Sequence, residues 1–160
     1  MWSEICGAIK SGDVLRCMMY LDQTYNLSNR YGETTVMLIA EQGLHVVLEE
    51  AIRMGADLNA SDDHGWTALH HASRGGHYDC VQLLVKNGAD VNAVTDINET
   101  PLHWALTGIK DECATFLFQN GADITIANHS ERTPKDLAIR LGSDEILDLF
   151  GITNKRERLQ

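Results

Sequence analysis

Gly88-Ala89-Asp90-Val91-Asn92 is the middle member of a series with an even 33-residue step: Gly55-Ala56-Asp57-Leu58-Asn59 precedes it and Gly121-Ala122-Asp123-Ile124-Thr125 follows it. Self-similarity at a fixed step of this size marks an array of small structural units, and it takes precedence over local secondary-structure readings. Working outward, Thr34, Thr67, Thr100 and Thr133 keep the same step. Cutting the 160-residue chain in that register gives units 29–61, 62–94, 95–127 and 128–160, preceded by an irregular leader at 1–28.

Each unit reads as turn, helix, turn, helix. In the second, Asp62-Asp63-His64-Gly65 is turn chemistry, because Gly takes positive φ cheaply and Asp bonds its own backbone. Thr67 caps a short helix with Leu69, Ala72 and Ser73 on one face, and Gly75-Gly76 ends it. A second helix carries Cys80, Val81, Leu83, Leu84 and Val85, an apolar side too wide for one neighbour to cover, and stops at Asn87-Gly88. About thirty residues cannot bury such a pair alone, so the units must stack, with polar faces at the two ends. The leader repeats the helix pair over Ser3–Ser11 and Val14–Leu21 without the turn. At the other end, Gly142-Ser143-Asp144-Glu145 opens a short last helix that stops at Phe150-Gly151, before the charged tail Asn154-Lys155-Arg156-Glu157-Arg158.

Thr100-Pro101-Leu102-His103-Trp104-Ala105 is the ankyrin-repeat signature in full, and Thr67-Ala68-Leu69-His70-His71-Ala72 departs from it at one position. Thr133-Pro134-Lys135-Asp136-Leu137-Ala138 resembles a terminal repeat, while Thr34-Thr35-Val36-Met37 is worn. Over nearly its whole length the chain resembles the ankyrin-repeat family. That resemblance implies an all-α solenoid of stacked helix-turn-helix units with β-turn fingers: four repeats, the last a cap, after an N-terminal capping helix pair at 1–28. Asn98 and Glu131 depart from the pattern, standing where Gly32 and Gly65 supply the turn glycine.

The resemblance also implies a cupped hand, with turn tips as fingers and first helices as palm, that binds partner proteins on that side. Carried over by position, the finger candidates are Tyr31 and Glu33, then Asp63, His64 and Trp66, then Asp96, Ile97 and Glu99. The palm candidates are Leu38, His71, Arg74 and Trp104, with Glu41 beside them. Several are too apolar for idle surface, and Trp, Tyr and Arg dominate interface energetics. A packing role for Trp66 and Trp104, lying flat on neighbouring repeats, is the competing reading.

Charge narrows the partner. The chain has 13 basic and 23 acidic side chains, net −10, which disfavours a grip on nucleic-acid phosphates. The units at 29–61, 62–94 and 95–127 carry −3, −2 and −4, so a protein with basic residues around an apolar anchor is the expected partner, met by a monomer. No run of about eighteen apolar residues marks a membrane span. Met1–Tyr20 has no basic start or apolar core typical of a secretory signal, so Cys6, Cys17, Cys80 and Cys113 are expected to be reduced and buried, in a cytosolic or nuclear setting.

The phosphate-loop, nucleophile-elbow, His-Glu-x-x-His and Cys-x-x-Cys patterns are missing from the sequence, and no cofactor is expected. The alternative from another class is a zinc- or thiol-dependent enzyme built on His70, His71, His77 and Cys80. Against it, a glycine break separates His70 from His77, and His70 and His103 share the 33-residue step. The resemblance gives those two histidines a structural role, bridging backbone groups of adjacent loops.

Overall fold

The computed structural model describes residues 1–141 and 144–152. Among them it holds ten helices and a single isolated β-bridge, Ser28 to Thr34. The helices run in pairs: α1 (Trp2–Lys10) with α2 (Val14–Thr24), α3 (Thr35–Glu41) with α4 (His45–Arg53), and α5 (Ala68–Gly75) with α6 (Tyr78–Lys86). They continue with α7 (Pro101–Thr107) and α8 (Asp111–Gln119), then α9 (Pro134–Leu141) and α10 (Asp144–Leu149). Each pair falls inside one unit of the sequence register. The expected opening of the last helix at Gly142-Ser143 and the charged tail at 154–158 lie outside the described residues.

The first helices are short because their ends are chemically marked. Thr34 and Thr100 accept from the Met37 and His103 N–H groups at 3.2 and 3.4 Å, and Pro101 fills the first helical position, where a missing N–H costs nothing. Thr133 and Asp136 close a reciprocal cap on α9: the Thr133 N–H donates to the carboxylate at 2.8 Å, and the Asp136 N–H donates back to the hydroxyl at 3.1 Å. At the far end, Gly43 and Gly76 turn left-handed with φ of 68° and 75°. The third residue in that slot is Ile109, a β-branched side chain held at φ 54°.

Stacking follows the repeat. The first helices form one layer, α3 between α1 and α5, and α7 between α5 and α9, while α2, α4, α6, α8 and α10 form the other in order. Burial recurs at the 33-residue step: Val36, Leu69 and Leu102 form one buried row, and Val47, Cys80, Cys113 and Ile146 another. The last row shows what the cysteines do, since valine and isoleucine fill their slot in the flanking units. Cys6 departs from expectation and is only half-buried.

The fingers are built by one slot per unit. Asn29, Asp62 and Asn128 each accept two N–H bonds across their own turn, for Asp62 from His64 and Trp66 at 2.9 Å each. Thr95 holds the fourth place and accepts from the Glu99 N–H at 3.2 Å. Asn98 and Glu131 take φ of 60° and 58°, so the turn keeps its left-handed residue although glycine is missing. One backbone bond joins each finger to the next: Asp63 N–H to Tyr31 O, Asp96 N–H to His64 O and His129 N–H to Ile97 O, at 2.8–3.0 Å. The periodic asparagines cross-link the loops at the opposite corner. Asn59 donates to Gly88 O at 3.1 Å and accepts from Asp90 N–H at 2.8 Å, and Asn92 repeats both bonds with Gly121 and Asp123.

Candidate functional site

The finger candidates do not present one uniform surface. Tyr31 and Ile97 are 55% and 44% exposed, apolar groups held out by the turns, and the Arg30 guanidinium lies over the Tyr31 ring at 4.6 Å. His64 Nδ1 meets Asp96 Oδ2 at 3.1 Å across adjacent fingers, and that hydrogen bond raises the His64 pKa above its ordinary value. Asp63 is exposed. Glu33 and Glu99, both finger candidates, are held by finger asparagines: Asn29 Nδ2 donates to Glu33 at 2.9 Å, and Asn128 Nδ2 donates to Glu99 at 2.8 Å.

In the palm, Trp66 and Trp104 are half-buried and stacked, with ring centroids 4.5 Å apart at a 46° tilt. Trp66 comes from the finger slot of one unit and Trp104 from the first helix of the next. His71 lies 5.0 Å from Trp66, and burial lowers its pKa, so the ring is neutral at pH 7. The Arg74 guanidinium covers Trp66 at 5.1 Å, and its Nη2 donates to Glu41 Oε1 at 2.9 Å. Leu38, expected in a row with His71 and Trp104, is instead 5% exposed. The half-buried row is Trp66, Trp104 and His71, edged by Arg74 and Glu41.

The histidine-rich stretch is drawn apart by the stacking. The Thr67 N–H reaches His70 Nδ1 at 3.1 Å, so Nδ1 is the acceptor and Nε2–H donates to Glu99 O of the next unit at 3.0 Å. His103 repeats this with Thr100 at 3.0 Å and Arg132 O at 3.2 Å. His77 Nε2 instead bonds Glu41 O at 2.8 Å, one unit back. Burial pushes the His70 pKa down to about 4 and the Cys80 and Cys113 thiols up to about 12 and about 11. A neutral, bridging imidazole and a protonated core thiol are structural groups. Among the described residues no three His, Cys, Asp or Glu side chains stand together as metal ligands, and no helix is long and apolar enough to cross a membrane. A recess of about 420 Å³ lies among second-helix residues, including Tyr78, Asp111 and Phe116, and none of the palm side chains lines it.

Sequence reasoning placed Arg74 and Glu41 in the palm separately and missed that they pair. Their 33-residue spacing was the available signal, since equivalent positions of adjacent first helices are neighbours. Two comparisons bear on identity. A family model described as ankyrin repeats, in three copies, matches residues 5–95, and one described as ankyrin repeat matches residues 98–129. No curated protein matches the chain.

Proposed function

The chain belongs to the ankyrin-repeat family, and we propose that it is a non-enzymatic module that holds, masks or inhibits another protein through its fingers and first helices. Ankyrin repeats are generally protein-protein interaction modules. The reading is carried by one observation: two tryptophans in slots that the repeat leaves variable meet at 4.5 Å on the palm, still half-exposed. A large aromatic anchor ringed by charge is the make-up of an interface centre. Tyr31 and Ile97 extend the apolar contact along the fingers, and Asp63, His64 and Asp96 form the rim that steers a basic partner. The module works as a monomer in the cytosol or nucleus.

The test compares the wild type with a Trp66→Ala/Trp104→Ala double variant, both checked for helix content, in capture and affinity measurement of the bound protein. Trp104→Ala alone is expected to weaken binding by at least about 2 kcal/mol, the hot-spot scale, with the fold retained. A full-affinity complex formed by the folded double variant would reject this surface.

A further inference from the structure

Arg74 sits in an arrangement made for a guanidinium. Its charge lies over the Trp66 ring at 5.1 Å, and Glu41 accepts from its Nη2 at 2.9 Å. Trp104 and His71 back the same ring at 4.5 and 5.0 Å. An aromatic face attracts the planar cation through its quadrupole, and a carboxylate at the edge accepts from the fork. Yet the Arg74 side chain is 46% exposed and Glu41 33%, so the pair is weak in water and exchanges readily.

We propose that Trp66, Trp104 and Glu41 form a binding site for an arginine side chain of a basic partner segment, and that Arg74 fills it from within the chain until the partner arrives. The proposal rests on the finger-and-palm reading above and adds the chemistry of what enters. Charge complementarity selects the occupant: Asp63 and Asp96, the latter bonded to His64, stand on the fingers of the two middle units, and the chain carries net −10. Stacking and a forked donor favour arginine over lysine, whose ammonium is a point charge with a tighter water shell. The palm also has unused polar capacity. Trp104 Nε1 and both His71 ring nitrogens are buried without a hydrogen-bond partner among the described residues. Neutral His71 offers one donor and one acceptor, and the indole one donor, which matches the carbonyl and N–H groups of a peptide main chain.

A side chain that merely keeps a site filled differs from a contact residue in the sign of its deletion. Removing an internal competitor raises apparent affinity by the reciprocal of the fraction of molecules it had left open. Removing a contact lowers it. N-acetyl-arginine amide is therefore titrated into the ¹⁵N-labelled full chain while the indole N–H resonances of Trp66 and Trp104 are followed, with Trp2 as internal reference. Saturable shifts are expected at Trp66 and Trp104 but not at Trp2. The midpoint is expected to fall at least about threefold in Arg74→Ala and Arg74→Gln, and to rise by a similar factor when Glu41→Gln is added to Arg74→Ala, where no internal arginine is left for Glu41 to hold. N-acetyl-lysine amide should bind more weakly and N-acetyl-citrulline amide not measurably.

The proposal is overturned if both Arg74 variants bind no tighter than wild type, or if arginine amide leaves the two palm indoles unmoved. In those cases the broader reading still stands, provided the Trp66→Ala/Trp104→Ala variant loses its protein partner. Full partner affinity in that double variant overturns both.

Discussion

Acidification acts on this fold through His70. The imidazole is fully buried, accepting at Nδ1 and donating from Nε2. Burial of the charged form pushes the native pKa down to about 4 from 6.5, and a protonated Nδ1 could no longer accept from the Thr67 N–H. The native pKa lies below the unfolded one, so this contribution is intact above about pH 6.5 and is lost as pH falls toward the native value. Linkage with those two values gives a loss of about 2 kcal/mol between roughly pH 7.5 and pH 5, and about 3 kcal/mol by pH 4. His103 and His71, both lowered by burial, add in the same direction. Urea unfolding at both pH values measures the loss. In His70→Gln, whose amide can still donate toward Glu99 O, the wild-type loss is expected to shrink by about 2 kcal/mol. An NMR titration of the His70 ring in the native protein gives the second readout. A midpoint near 6.5, or equal pH dependence in wild type and His70→Gln, would refute the reasoning.

Leu84→Ala, in a fully buried slot of a central unit, is expected to cost about 2–5 kcal/mol in denaturant titration, and Leu147→Ala in the last helix less, because a terminal unit has one neighbour instead of two. Equal losses would count against stacked units. Cys80 and Cys113 are expected to react slowly with a thiol reagent in the native protein and rapidly after unfolding, since the core holds both as thiols. Ile109→Gly relieves a β-branched residue at φ 54° and is expected to stabilise by about 1 kcal/mol. Gly43→Ala, in the same turn slot, is expected to destabilise, because its new Cβ would stand 2.5 Å from the His77 ring; melting temperatures of the two variants check the opposite signs.

The repeat was legible for a physical reason. In a linear stack every unit meets nearly the same neighbour, so a slot that must be threonine, glycine or asparagine in one unit carries the same demand in the next. Thr67 and Thr100 are therefore read directly as caps and Gly55 and Gly88 as turns, whereas Asn59 and Asn92 show only the shared step in the sequence and their cross-links in the structure. Where glycine was missing, Asn98 and Glu131 still take the left-handed turn; Asn favours that region by local propensity, whereas Glu does not.

The palm obeys no such rule, because its residues are the ones the stack leaves free. The family resemblance of the sequence placed His71, Arg74, Trp104 and, by the same count, Leu38 in the palm, and Trp66 among the fingers. Only the tertiary structure decided that Leu38 is buried, that Glu33 and Glu99 are tied to finger asparagines, and that Arg74 reaches Glu41 and Trp66 together. Trp66 and Trp104 belong to non-equivalent slots of neighbouring units, one at the base of a finger and the other on a first helix. Whether two such rings touch depends on the offset and tilt between stacked helices and on which rotamers the crowded face allows, and a sequence period records neither.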